Sequence, residues 1–278
     1  MVNVFHQHVP TNQEGDDYIV GDLHGCLDLL LTELDRIGFK PQVDRLFCVG
    51  DLIDRGPDSM GCLRLLREPW FFSVIGNHEN MLLDYVYEYA LPYGSRVPPM
   101  VFFRNGGGWV TRLSDDEEQE LKEDLLPRVE QLPYVITVGD GQNQFHVAHA
   151  ELMTGLVDPN YGGIFEGNNV RILDDTQLTE ENLAGMTGAL TWGRRVLRRI
   201  KFDLSKEAQT VIGPVFASQQ PMHPGLSLTY VGHSPLKSMF LHESHLYIDR
   251  GAFLRDESSC LLVLRHDDVQ LSLKQLLQ

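Results

Sequence analysis

Gly21-Asp22-Leu23-His24-Gly25, Gly50-Asp51-Leu52-Ile53-Asp54-Arg55-Gly56 and Gly76-Asn77-His78-Glu79 recur at near-regular spacing, with 29 residues from Asp22 to Asp51 and 26 from Asp51 to Asn77. Each segment closes a short apolar run: Tyr18-Ile19-Val20, Leu46-Phe47-Cys48-Val49 and Phe71-Phe72-Ser73-Val74-Ile75. Such runs, rich in β-branched and aromatic residues and ended by glycine, read as strands. Between them lie two helical patterns. Leu27 to Ile37 carries Leu29, Leu30, Leu34 and Ile37 on one face, and Ser59 to Leu66 opens after Pro57-Asp58. The spacing is about that of a βαβ unit. Parallel strands joined by right-handed crossovers bring their C-terminal ends to one edge of the sheet. The expectation is an α/β fold in which the three segments converge.

The side chains at those ends share one chemistry. Carboxylates and imidazoles hold divalent transition metals, and one aspartate can bridge two ions with its two oxygens. An asparagine carbonyl adds coordination without charge, and the glycines let the chain turn sharply beside each ligand. One Asp-x-His-Gly segment alone reads as a strand-end turn with a capped helix; three in order point to a shared centre. Two further apolar runs, Phe145 to Ala148 and Leu228 to Val231, end in His149-Ala150-Glu151 and Gly232-His233-Ser234. Either histidine alone reads as a satisfied core residue, and the upstream segments turn both toward ligation.

These five segments resemble the phosphoprotein phosphatase family of metallophosphoesterases, whose motifs read GDxHG, GDxxDRG, GNHE, an HA or HG pair, and GH. Asn105-Gly106-Gly107-Gly108-Trp109, Thr191-Trp192-Gly193-Arg194 and Ile248-Asp249-Arg250-Gly251-Ala252 are similar to the bacteriophage lambda type and its bacterial relatives. The resemblance runs from about Tyr18 to Val263, with little match at 154–188 and 202–226. It implies a calcineurin-like fold of two packed mixed β-sheets flanked by helices, with a dimetal site at the strand C-terminal ends. By the same resemblance, Asp22, His24 and Asp51 hold one ion, and Asp51, Asn77, His149 and His233 the second. Mn is the foremost ion, with Fe, Zn and Co as alternatives that availability decides.

Two cations sharing a bridging water make hydroxide available near neutral pH and clamp a phosphate for in-line attack. The resemblance then makes His78 the general acid, held by Asp54, with Arg55 and Arg194 gripping phosphate oxygens. It implies a phosphomonoesterase acting on phosphoserine and phosphothreonine of a protein or peptide, with phosphotyrosine as an extension. Symmetrical hydrolysis of dinucleoside polyphosphates is the alternative within the superfamily. A non-catalytic metal-binding module predicts lost ligands or a lost acid, and none is lost.

Composition bounds the context. The chain has 278 residues, of which 42% are hydrophobic, enough for one large α/β core, so 18–278 reads as one catalytic domain and 1–17 as a polar tail. A net charge of −16 argues against a nucleic-acid duplex as partner. No apolar stretch approaches the length of a membrane span, and the start lacks a basic and apolar leader, so the expected location is the cytoplasm. Cys26, Cys48, Cys62 and Cys260 show no C-x-x-C spacing and read as reduced thiols.

Other stretches say less. Asp115 to Asp124 reads as an acidic helix after Ser114, either a solvated face or a dock for basic peptides. Met81 to Ala90 reads as helix, with Tyr85, Tyr87 and Tyr89 packing, and Gly106 to Gly108 as a tight turn. Arg194, Arg195, Arg198, Arg199 and Lys201 form a basic run, a solvated face or a docking strip for acidic residues beside the phosphosite. Arg250 stands where the lambda-type pattern has threonine, so it is either a third anion contact or a structural ion pair. The unmatched segments 154–188 and 202–226 read as irregular chain forming a rim or lid.

Overall fold

The computed structural model describes residues 4–87, 99–154, 156–158, 163–165, 171–197, 210–212, 215–218 and 220–276. The first three apolar runs form strands β2 (Asp17–Val20), β3 (Arg45–Cys48) and β4 (Phe71–Ser73), paired in parallel in the order β2-β3-β4. Strand β14 (Val263–Arg265) adds an antiparallel edge beside β2. Helix α1 (Leu27–Ile37) connects β2 to β3, and Gly38 ends it in the left-handed region at φ 68°. Helix α2 (Ser59–Arg64) follows β3, its first turn capped by Asp58, whose Oδ1 accepts the Gly61 N–H at 2.7 Å. Helix α3 (Asn77–Tyr87) starts on the third segment itself.

The second sheet has eight strands and is also mixed. It is built from β1 (His6–Val9), β5 (Val135–Val138), β6 (Phe145–Ala148), β9 (Thr210–Ile212), β10 (Val215–Ala217), β11 (Leu228–Val231), β12 (Met239–His242) and β13 (His245–Tyr247). The spatial order is β1-β5-β6-β11-β13-β12-β10-β9. A short hairpin, β7 (Leu156–Asp158) with β8 (Gly163–Phe165), stands apart.

The strand pleat explains the layers. Ile19 and Phe47 point into a core shared with Ile136, Phe145, Val147 and Tyr230 of the large sheet. Tyr18, Val20, Leu46 and Cys48 point to the other side, into a core with Leu30 and Leu34 of α1 and Leu82 of α3. The rings of Phe47 and Phe145 meet edge to face at 5.9 Å between the sheets. Burial on both faces is why these strands read as unbroken apolar runs.

Within 1–17, the described residues 4–17 do not form a polar tail but are built into the fold. His6–Val9 pairs in parallel with Val135–Val138 at the edge of the large sheet, and Asp17 opens β2. His6 Nε2 lies 2.6 Å from Thr137 Oγ1, and Asn12 Nδ2 donates to the Val43 carbonyl at 2.8 Å. The polar side chains have specific partners, which composition alone does not reveal. The unmatched segments also hold regular structure: a helix at Glu180–Ala184 and strands β9 and β10. Cys26, Cys48 and Cys62 are buried free thiols and Cys260 is exposed.

Candidate active site at the strand ends

Five strand ends deliver the candidate ligands to one place. Asp22 and His24 follow β2, Asp51 follows β3, Asn77 opens α3 after β4, His149 follows β6 and His233 follows β11. All six are buried, at 5% exposure or less. His24, Asp51, Asp54, Arg55 and His233 have φ between 41° and 73°. Left-handed backbone at a non-glycine residue costs of order 1 kcal/mol or more and concentrates at functional sites. Here it turns each chain back at once, so that the side chain after the strand points along the sheet edge.

Backbone bonds lock the turns together. His24 N–H donates to the Asp51 carbonyl at 2.7 Å and Gly25 N–H to the Leu52 carbonyl at 2.8 Å. Glu79 accepts the N–H groups of Asp51 (3.0 Å), Leu52 (2.8 Å) and Gly76 (2.9 Å), so the third segment holds the second. The glycines permit contact: a Cβ on Gly232 would lie 1.9 Å from Asp22 Oδ1, and one on Gly106 2.5 Å from the Arg55 nitrogen.

The donor set fits divalent cations. His24 Nδ1 is 2.9 Å from the Ile53 carbonyl and His149 Nδ1 is 2.8 Å from the Val49 carbonyl, which leaves each Nε2 as a forward lone pair. His149 Nε2 and His233 Nδ1 both approach Asn77 Oδ1, at 2.9 and 2.8 Å. Asp51 joins two groups whose ligand atoms lie within 4.8 Å of one another, one with His24 and His78 and one with His149 and His233. Its two oxygens face opposite ways, Oδ2 at 3.6 Å from His24 Nε2 and Oδ1 at 3.4 Å from His149 Nε2. Asp22 is less central than expected: both its oxygens accept the His233 N–H, at 3.2 and 3.0 Å.

Electrostatics point the same way. Burial pushes His24, His149 and His233 below the usual imidazole range, and neutral rings are what a cation requires. Burial would raise Asp51, but the imidazoles of His149, His78, His24 and His233 hold it below the usual carboxylate range. Asp22 is pushed up, first by burial and then by Asp249 and Asp51. Closely set buried carboxylates relax when positive charge enters.

His78 lies beside the ligands. Its Nδ1 is 2.6 Å from Asp54 Oδ2, and its Nε2 is buried without a hydrogen-bond partner, 3.8 Å from Asp51 Oδ2. Trp109 donates its indole N–H to Asp54 Oδ1 at 2.7 Å. The Asn105–Trp109 stretch is therefore more than a turn: it braces Asp54 and packs Gly106 on Arg55. Arg55 places Nη1 2.7 Å from His24 Nε2, with its guanidinium carbon 4.6 Å from the centroid of the Phe253 ring.

Arg194 donates through Nε to Ser234 Oγ at 3.0 Å and through Nη2 to the His233 carbonyl at 3.2 Å. Its chain segment is tethered by Glu151, which accepts the N–H groups of Val196 (2.7 Å) and Leu197 (2.8 Å) and the Tyr247 hydroxyl (2.9 Å). Sequence reading gave no role to Trp109, Glu79 or Glu151, although each sits in a stretch quoted for the family resemblance. Arg250 donates through Nη2 to the Ser258 carbonyl at 2.9 Å and forms no ion pair among the described residues. In the basic run, Arg198, Arg199 and Lys201 lie outside the described residues. Part of the acidic stretch is paired, with Arg64 on Glu120 and Arg67 on Asp124.

Among the described residues no helix is long and apolar enough to cross a membrane. Serine/threonine-protein phosphatase 1 of Salmonella typhimurium is 41% identical over 134 residues, 48% of this chain and 58% of that one. Serine/threonine-protein phosphatase 2 of Escherichia coli K12 is 41% identical over 134 residues, with 57% of its length covered. The match thus spans little more than half of these relatives. A symmetrical bis(5'-nucleosyl)-tetraphosphatase of Yersinia pestis is 48% identical over 68 residues, 24% of each chain. A crystal structure of a protein provisionally assigned as a diadenosine tetraphosphatase superposes with a TM-score of 0.51 at 20% identity, over 94% of this chain and 98% of that one, which speaks for the fold. The calcineurin-like phosphoesterase model matches residues 18–178, more than half of the chain and into the region after Thr154 where the motifs thin out. With the candidate ligands gathered at its strand ends on a two-sheet frame, the chain belongs to the calcineurin-like phosphoesterase family.

Proposed function

We propose that the chain is a metal-dependent phosphomonoesterase of the serine/threonine protein phosphatase type. The observation that carries this reading is the buried His78 held by Asp54, with Nε2 free and turned to the Asp51 side of the site. A serine or threonine alkoxide is a strong base and leaves readily only with a proton, which a positioned imidazole supplies. A nucleotide phosphate leaves as a stable anion and needs no such donor.

Asp22, His24, Asp51, Asn77, His149 and His233 would hold two divalent cations, Mn foremost, and such ions when bound would make hydroxide available near neutral pH and polarise phosphoryl oxygens. The protein's own part is orientation and proton control. The Ile53 and Val49 carbonyls fix the rings of His24 and His149 with Nε2 forward. Arg55 and Arg194 present planar forks for the non-bridging oxygens of the phosphate. Asp54 holds Nδ1 of His78, so that the proton given to the leaving oxygen is the one on Nε2.

The match to the Yersinia tetraphosphatase supports a second reading, symmetrical hydrolysis of dinucleoside polyphosphates. Turnover of a phosphoserine and phosphothreonine peptide panel against diadenosine tetraphosphate, with Mn present, separates the two. The first reading expects peptide turnover that collapses in His78→Asn. Tetraphosphate preferred by the wild type and cleaved equally well by His78→Asn overturns it.

A further inference from the structure

Asp249 directly follows β13 and has no part in the ligand set above. A Cβ on Gly21 would stand 3.0 Å from the Ile248 carbonyl oxygen and 3.6 Å from the Asp249 Cα, so Asp249 packs beside the residue that precedes Asp22. Strand β13 pairs in parallel with β11, and Ile248 N–H donates to the Val231 carbonyl at 2.9 Å. That register brings Asp249 level with Gly232-His233 at the neighbouring strand end.

The side chain is 2% exposed. Its Oδ1 accepts the Gly251 N–H at 2.8 Å, which fixes the carboxylate, while Oδ2 is buried without a hydrogen-bond partner. A buried carboxylate oxygen lacking a donor is costly and calls for an explanation. Asp51 raises its carboxyl while Arg55 and Arg194 lower it, and Asp249 in turn raises that of Asp22. Burial pushes its carboxyl up to about 6. Arg55 turns Nη1 to His24, and Arg194 turns Nε and Nη2 to Ser234 and His233.

We propose that Asp249 belongs to the cation site, its Oδ2 accepting a hydrogen bond from a water on the ion beside Asp22. This rests on the dimetal reading above. Groups that orient the water or ligands of a bound metal typically change its affinity 10- to 100-fold when removed. Asp249 is thus a positioning residue for one ion.

The test is calorimetric titration of the chelator-stripped full chain with Mn2+. Wild type is expected to take up two ions. Asp249→Asn keeps an oxygen for the Gly251 N–H, and should weaken one of the two steps by roughly 10- to 100-fold while leaving the other unchanged. Asp249→Ser, which also retains an acceptor, should show the same one-step loss and guards against a misfolded Asn variant. Unchanged affinities overturn the inference. So do equal small losses in both steps, which mark a remote charge, and weaker inhibition by inorganic phosphate with both ion affinities intact, which marks an anchor for the arginines. If wild type takes up no Mn2+, the dimetal reading falls and Asp249 with it.

Discussion

Trp109 donates its indole N–H to Oδ1 of Asp54 at 2.7 Å, and the other oxygen of that carboxylate holds Nδ1 of His78 at 2.6 Å. Burial pushes Asp54 up, and the bonds from His78 and Trp109 pull it back toward the ionised form. Trp109→Phe leaves a buried oxygen unsatisfied, at a cost of about 1–3 kcal/mol. His78 should then be held less firmly. The expected result is a fall in kcat of about tenfold on a phosphoserine peptide, with little change on 4-nitrophenyl phosphate, whose leaving group needs no proton. Equal losses on both substrates would confine Trp109 to the fold.

Glu151 acts through the chain that carries Arg194. Its two oxygens accept the N–H groups of Val196 and Leu197, and the Tyr247 hydroxyl adds a third bond. Glu151→Gln replaces one acceptor with an NH2 group facing a backbone donor, so the segment should loosen at the arginine. KM should rise about tenfold, the equivalent of ~1.4 kcal/mol, with inhibition by inorganic phosphate weakened alike and kcat changed less. A drop in kcat at constant KM would contradict this.

Removal of divalent ions should lower stability as well as activity. Asp22 and Asp51 are 3% and 2% exposed, and cations that bind only the folded chain stabilise it by mass action, about 2.7 kcal/mol at a hundredfold excess over Kd. Melting temperature measured with and without chelator should fall on ion removal and recover with Mn2+. Full turnover after complete chelation would remove the metal assignment.

The contrast between β2 and β1 shows what the sequence carries and what it does not. Ile19 and Val20 are sealed on opposite faces of the sheet, so the run is apolar throughout and its strand is plain. His6-Gln7-His8-Val9 is an edge strand whose partner lies near residue 135, and a polar edge leaves no periodic signal. Helix α1 was legible because it lies against one core face. Most of the candidate site residues are legible because a glycine marks the strand end beside them, as at Gly21, Gly50, Gly76 and Gly232, whereas His149 follows its strand directly. Trp109 acts through one hydrogen bond on a partner 55 residues away, and Glu151 through two backbone bonds to partners 45 and 46 residues away, which no spacing rule encodes. The direction of the Arg250 side chain is likewise set by the fold around Ser258.

Acid should destabilise the protein through a histidine remote from catalysis. His245 is fully buried; its Nδ1 lies 2.9 Å from the Glu243 carbonyl and its Nε2 accepts the Leu152 N–H at 3.0 Å. Both nitrogens are used by the neutral ring, and a second proton would displace Leu152. Burial above all lowers the folded-state value to about 4 from 6.5. Between pH 6.5 and 4 the unfolded chain therefore binds the proton that the folded chain refuses, and falling pH favours unfolding. The slope is about 1.4 kcal/mol per pH unit, or roughly 3 kcal/mol across the window. His6 and His266 are also held at about 4 and add to the trend. Urea unfolding followed by tryptophan fluorescence in chelator, at intervals from pH 7 to 4.5, should show this loss. His245→Gln, less stable at pH 7, should lose stability more slowly on acidification than the wild type. Parallel curves for the two proteins would show that His245 is protonated alike in the folded and unfolded states.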